Sequence, residues 1–226
     1  TFGWDKVVYY EKPLLKKTRQ LYAGQYGVAF DSKEMPQHHL NQFGIKIDAV
    51  VKHHDSHAAA GYYTSGFKDA VILTVDAIGE WETVSISKGY NQKAIERMES
   101  IRYPNSLGIL YSAFTQRCGL KPAEEEYILM GMAAYGEPKY KDHIYNDFVH
   151  QSPFKLKKNL HRGLSDWHPE ADPMDRAASI QAVTEECLAD LWHRASKYGS
   201  RNLVYAGGVA LNCAANKVLA NLGLFD

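Results

Sequence analysis

The clearest pattern in the chain lies between Ala70 and Tyr90. Ala70 to Val75 is a continuous apolar run, as in a strand buried on both faces. Ala77 to Glu82 then reads as a turn around Gly79. Thr83 to Ser87 alternates polar and apolar positions as a second strand, and Gly89 closes it. The segment AIERMESIRYP, from Ala94, supplies a third antiparallel strand. Further on the period lengthens. Leu107, Leu110, Tyr111 and Phe114 fall on one face of a helix over 106–118. A second apolar helix spans 127–135 and ends at Gly136, with Pro138 following. The longest helical pattern is 175–198, with Ile180, Val183, Cys187, Leu188, Leu191 and Trp192 at helical spacing.

The flanks are less regular. WDKVVYYEKP predicts a strand stopped by Pro13, and 14–43 is mixed helix and loop. Ile47 to His54 predicts a strand, followed by a helix over 57–64 led by Ala58, Ala59 and Ala60 and ended by Gly66. The stretch 140–173 is rich in charge, His and Pro, and predicts an insertion or loop-rich subdomain. The final segment reads as strand, Gly207-Gly208 turn and a helix containing Asn212. No internal repeat or low-complexity tract is evident.

Composition narrows the functions. The 226 residues suffice for a real core, and 45% hydrophobic with 23% charged is ordinary for a globular protein. Lys+Arg and Asp+Glu both number 26, which removes the charge argument for a nucleic-acid or membrane-surface binder. No apolar run approaches the ~20 residues of a membrane span. Neither a signal peptide nor, from Cys118, Cys187 and Cys213, a disulfide or zinc framework is expected, so the cytoplasm is the default location. The ends, Thr1-Phe2-Gly3 and NKVLANLGLFD, read as internal sequence and predict a fragment of a longer chain.

Besides SLGILYSAFTQRCG and EEEYILMGMAAYGEP, where Gly131, Ala133 and Ala134 let a helix lie close to a partner and ordinary helix–helix packing is the favoured reading, three places can carry chemistry. His53 and His57 are spaced i, i+4, which on a helix sets both on one face, close enough to grip one metal ion; His54 points about 100° away. The competing reading is a pair of surface or helix-capping histidines. Asp76 ends the buried strand just before a glycine turn, where carboxylates meet phosphates and metals; it would equally suit an Asx-turn. Gly207 and Gly208 permit close backbone approach to a ligand before a helix N-terminus, or simply tight strand–helix packing.

The segments HHDSHAAAGYYTSGF, TVDAIGEWETVSI, YPNSLGILYSAFTQRCGL, EEEYILMGMAAYGEP and AGGVALNCAANKVL, in that order, resemble the nodulation and antibiotic-biosynthesis O-carbamoyltransferase family. VDAIGEWETVSI also resembles the phosphate hairpin of the actin-like ATPase and sugar-kinase superfamily. The resemblance implies an α/β fold, a partial actin-like ATPase domain over 1–226 with a mixed sheet flanked by helices and a loop-rich insertion around 140–173. It implies transfer of a carbamoyl group from carbamoyl-adenylate, made from carbamoyl phosphate and ATP, to a hydroxyl of a small-molecule or saccharide acceptor. His53, His57 and Asp76 would hold a divalent metal, usually Fe(II). Gly207, Gly208 and Asn212 would touch the nucleotide; no individual catalytic residue is assigned, and a homodimer is left open.

Departures from the family pattern accompany the resemblance. Ile128 stands where the family carries a lysine. The family's first N-terminal hairpin, its Gly-Asp-Ala-Gly segment with a further metal-binding Asp and its adenylate-forming domain are not in the sequence. The chain alone is therefore expected to be inactive. Two other functions compete: an actin-like kinase or ATPase acting on a small metabolite, and a non-catalytic binding fragment. The paired imidazoles argue against the kinase, whose Mg²⁺ prefers carboxylates and phosphates.

Overall fold

The continuous apolar run becomes the centre of a four-stranded mixed sheet. The computed structural model describes residues 5–150, 152–164 and 166–226; Thr1-Phe2-Gly3 and Trp4, at the start of the predicted first strand, lie outside the described residues. Strand β3 (Ala70–Val75) pairs antiparallel with β4 (Glu82–Tyr90), which pairs antiparallel with β5 (Ala94–Arg102). On its other edge β3 pairs in parallel with β8 (Leu203–Ala206), giving the order β5-β4-β3-β8. The long crossover between β3 and β8 carries β4 and β5 and four α-helices, including the longest in the described residues.

Every residue of β3 is buried because both faces of the sheet are covered. Val71, Leu73 and Val75 join the main core with Leu107, Leu110 and Phe114 of α5 (Leu107–Arg117) and Ile180, Val183 and Leu188 of α8 (Pro173–Ser196). Ala70 and Ile72 face Ala58 and Tyr62 of α4 (His53–Thr64). Helix α5 starts where its sequence predicts: the Ser106 hydroxyl accepts the Ile109 N–H at 3.0 Å as an N-cap.

Four sequence expectations change. The strand predicted over 47–54 shrinks to β2 (Ala49–Val50), which pairs in parallel with β1 (Val8–Tyr9); the helix predicted from His57 begins at His53. Gly89 lies inside β4 rather than ending it, because the Tyr62 ring fills the space of a side chain there, its Cζ only 2.3 Å from an ideal Cβ. The segment 140–173 carries α7 (Lys141–Phe148) and a short hairpin, β6 (Val149–His150) with β7 (Lys155–Leu156), before irregular chain. It contributes Ile144, Phe148, Phe154 and Leu160 to the main core, so its aromatic and aliphatic residues pack where its polar composition predicted loop. Asn212 lies outside the last helix, α9 (Cys213–Ala220), as its N-cap, after a 3₁₀ turn over Gly208–Leu211.

The remaining helices are short. α1 (Pro13–Tyr22), α2 (Tyr26–Phe30) and α3 (Pro36–Asn41) fill the N-terminal region, and α6 (Glu126–Met132) follows α5. Among the described residues no helix is long and apolar enough to cross a membrane, and Cys118, Cys187 and Cys213 are all free thiols.

Candidate metal centre

The early start of α4 decides the geometry of the histidines. With His53 already helical, His53 and His57 are one turn apart and their Nε2 atoms lie 3.1 Å from each other. Asp76, the residue after β3, brings its Oδ2 to 2.8 Å from His53 Nε2 and 3.2 Å from His57 Nε2. Three donor atoms from two elements therefore converge on one point. His54 points the other way, into the core, where its Nδ1 meets Ser85 Oγ at 3.3 Å. Burial pushes His54 down to about 4, so it is neutral and plays no part in the triangle.

The turn holds Asp76 firmly. Its backbone N–H donates to Thr83 O (2.9 Å), and its Oδ1 accepts the Ala77 N–H (2.7 Å), leaving Oδ2 for the histidines. Burial alone raises the Asp76 carboxyl; the bonds from His53, His57 and the Ala77 N–H overcome it and hold the group well below the usual carboxylate range. The Asp76 hydrogen bond in turn raises His53, against its own burial. The site is an anion beside two imidazoles, half-sheltered from solvent.

The donor set fits one divalent transition ion. Two donors ~2.1 Å from an ion lie roughly 3.0 Å apart at right angles and roughly 3.4 Å apart at the tetrahedral angle. The observed sides of 2.8, 3.1 and 3.2 Å match three neighbouring corners of an octahedron. Two imidazoles with one carboxylate on a common face is the ligand set favoured by non-haem Fe(II).

The glycines predicted to meet a ligand pack against the end of β3, Gly207 on Val75 and Gly208 on the Asp76 carboxylate. Gly207 has φ +98°, and a Cβ there would lie 2.3 Å from Val75 O, so only glycine lets β8 turn against the end of β3. A Cβ on Gly208 would lie 2.9 Å from Asp76 Oδ1. Asp76, Gly208 and Asn212 all line a cavity of about 430 Å³, with Tyr111, Tyr127 and Met130 on its walls. Gly207 does not line the cavity. Ile128 sits half-buried on α6 and does not line the cavity.

Sequence reasoning missed two groups at this site. Gln181, buried on α8, pairs its amide with that of Asn212 in both directions (2.9 and 3.0 Å) and accepts the Tyr111 hydroxyl at 2.9 Å. A polar side chain on the apolar face of the predicted 175–198 helix was its signal. The Asn212 Oδ1 also accepts the Ala215 N–H at 3.0 Å, so this side chain caps α9 while it faces the cavity. The second is Glu80, buried in the turn after Asp76, whose signal was only a charged residue beside Gly79.

A mixed sheet with helices on both faces and a 2-His-1-carboxylate cluster whose Asp76 also lines a small-molecule-sized cavity defines an α/β domain with a candidate metal site. The chain belongs to the family described as carbamoyltransferase N-terminus, whose model matches residues 38–226. It is 40% identical over 198 residues to the uncharacterized protein sll1178 of Synechocystis sp., covering 77% of this chain and 32% of that protein. It is 26% identical over 255 residues to the uncharacterized protein MJ1058 of Methanocaldococcus jannaschii, covering 100% of this chain and 40% of the relative. With the nodulation protein NolNO of Sinorhizobium fredii it shares 28% identity over 205 residues, 82% of this chain and 29% of that protein. The chain thus spans between 29% and 40% of the length of these relatives.

Proposed function

We propose that this chain is the metal-holding part of an O-carbamoyltransferase. In this reading the whole protein moves a carbamoyl group from carbamoyl-adenylate, made from carbamoyl phosphate and ATP, to a hydroxyl of a small-molecule or saccharide acceptor. The observation that carries it is the convergence of His53 Nε2, His57 Nε2 and Asp76 Oδ2 beside the cavity, in a chain of the carbamoyltransferase N-terminus family. The sheet order, an antiparallel meander extended by one parallel strand, supports reading the domain as actin-like.

His53, His57 and Asp76 would hold the ion, and Fe(II) suits their chemistry. A divalent ion there supplies Lewis-acid polarisation of a carbonyl or phosphoryl oxygen and a lower pKa for a hydroxyl. The protein's own contribution is orientation. Asp76 is tied at Oδ1 by the Ala77 N–H, so its other oxygen has a fixed direction. Gly207 lets the β8 turn close on Val75, and so sets Gly208 at the cavity beside Asp76, where an adenylate would meet the main chain. Asn212, held by Gln181, presents its amide to the same cavity. The two imidazoles disfavour the kinase alternative, since Mg²⁺ seeks oxygen ligands.

The test uses the full-length protein, purified anaerobically. With ATP, carbamoyl phosphate and Fe(II), pyrophosphate should be released only when carbamoyl phosphate is present, and carbamoyl-adenylate should be trapped in a rapid quench. Metal content by mass spectrometry should approach one equivalent and be lost in the His53→Ala/His57→Ala double variant. No adenylate with intact protein, or equal metal in both forms, would sink this reading.

A further inference from the structure

Glu80 is buried, 4% exposed, and the proposed reaction does not use it. Its carboxylate crosses from the β3–β4 turn to the first turn of α4. There the His53 N–H donates to Oε1 at 3.2 Å and to Oε2 at 3.3 Å. A helix leaves its first N–H groups without internal partners, and Lys52, at the N-cap, offers no side-chain cap. Glu80 takes that place from 27 residues further along the chain. Its negative charge also suits the positive end of the helix.

The same turn carries Asp76. The stretch from Asp76 to Glu80 is pinned at both ends, by Asp76 N–H to Thr83 O at 2.9 Å and Gly79 N–H to Glu82 O at 2.8 Å. It lies directly on α4: a Cβ on Gly79 would be 2.9 Å from His54 Cδ2 and 3.0 Å from His53 Cβ. One rigid turn therefore grips His53 twice, at its ring through Asp76 and at its backbone through Glu80. Glu80 Oε1 also accepts the Lys12 N–H at 2.7 Å, and Glu80 O accepts Arg19 Nε at 3.2 Å, so the start of α1 is docked on the same residue.

From this juxtaposition the geometry points to Glu80 as a positioning residue that sets the spacing between His53 and Asp76, and so the shape of the metal site. The inference rests on the metal-binding reading above. Without Glu80 the first turn of α4 has no fixed end. His53 can then fray out of the helix, which undoes the i, i+4 relation with His57.

Co(II) binding to the full-length, metal-free protein tests this, because its visible absorption reports coordination geometry as well as affinity. Glu80→Gln keeps size but removes the charge, and its amide nitrogen, in place of Oε2, turns an acceptor into a donor facing the His53 N–H. Its Co(II) affinity should fall about 10- to 100-fold, the range seen when residues that orient metal ligands are changed, and its absorption band should shift. Glu80→Asp, which keeps the charge on a shorter arm, should fall between the two and serves if Glu80→Gln does not fold. Arg19→Ala loosens the α1 docking alone, and should lower the melting temperature while leaving Co(II) affinity and spectrum unchanged. Wild-type affinity and spectrum in a folded Glu80→Gln protein would reduce Glu80 to a helix cap and overturn the inference. Wild-type protein that takes up no Co(II) would instead overturn the metal reading on which it stands.

Discussion

Gly108 and Gly131 offer paired substitutions whose effects should have opposite signs. Both lie within helices, α5 and α6. In an exposed helix interior, replacing glycine by alanine stabilises by about 1 kcal/mol, because the helix loses less backbone entropy. Gly131 is exposed, with nothing within 4 Å of the added Cβ, so Gly131→Ala should raise the melting temperature by about 2–4 °C. At Gly108 the Cβ would lie 2.5 Å from Ala77 Cα and 2.6 Å from Ala77 N. Carbon atoms settle ~3.5–4.0 Å apart, so helix and turn must separate by roughly 1 Å. Overpacking of this kind costs about 1–3 kcal/mol, and backbone atoms cannot swing aside as a side chain would. The net expectation for Gly108→Ala is a loss of about 1–2 kcal/mol after the helical gain is subtracted. Ala77 follows Asp76 directly, so the displaced turn should also pull Oδ2 away from the histidines and weaken Co(II) binding by about tenfold. Urea denaturation of both variants, with Co(II) titration of each, provides the assay. Gly108→Ala protein that is as stable as Gly131→Ala protein and binds Co(II) like wild type would refute the close packing of α5 on the metal-site turn.

Leu73 is fully buried at the centre of the sheet, so Leu73→Ala should cost about 2–5 kcal/mol in denaturant unfolding; a loss under about 1 kcal/mol would contradict its place in the core. The three cysteines should separate by reactivity. Cys213 is exposed and should be alkylated at once by iodoacetamide, and half-buried Cys118 more slowly. Cys187, whose thiol burial pushes up to about 12, should react only on unfolding; peptide mapping by mass spectrometry reads the order, and prompt labelling of Cys187 would refute the packing of α8.

Where local pattern and tertiary packing agree, the fold was legible. The run at 70–75 is strand because both faces are covered, and 106–118 is helix because Ser106 caps an apolar stripe. Legibility failed where a distant residue decides. His53 and His54 belonged to a strand on local propensity, but Glu80 supplies the missing cap and draws the helix back a full turn. Gly89 looked like a terminator until Tyr62, from another element, filled its empty face. In 140–173 charge and proline concealed Phe148 and Phe154, whose burial depends on α5 and α8 rather than on neighbours in sequence.

The candidate site follows the same rule with one consequence for its chemistry. The donors themselves were legible: imidazoles at i, i+4 and a carboxylate at a strand end need only local geometry to be noticed. What makes them a site is the contact between two elements, and the residues that enforce it carry no metal-binding signature. Gly79 permits the approach of α4, Glu80 holds the helix start, Gly108 lets α5 close on the backbone of Ala77, and Gly208 closes on the Asp76 carboxylate. The Asp76 Oδ1 thus lies against Gly208 and is already committed to the Ala77 N–H. A carboxylate so confined offers an ion one oxygen in one direction. That restriction favours an ion satisfied by a compact N,N,O face over Ca²⁺, which takes six to eight oxygens. If the triangle holds an ion as proposed, its selectivity would therefore depend on backbone packing at Gly208 as well as on the ligands.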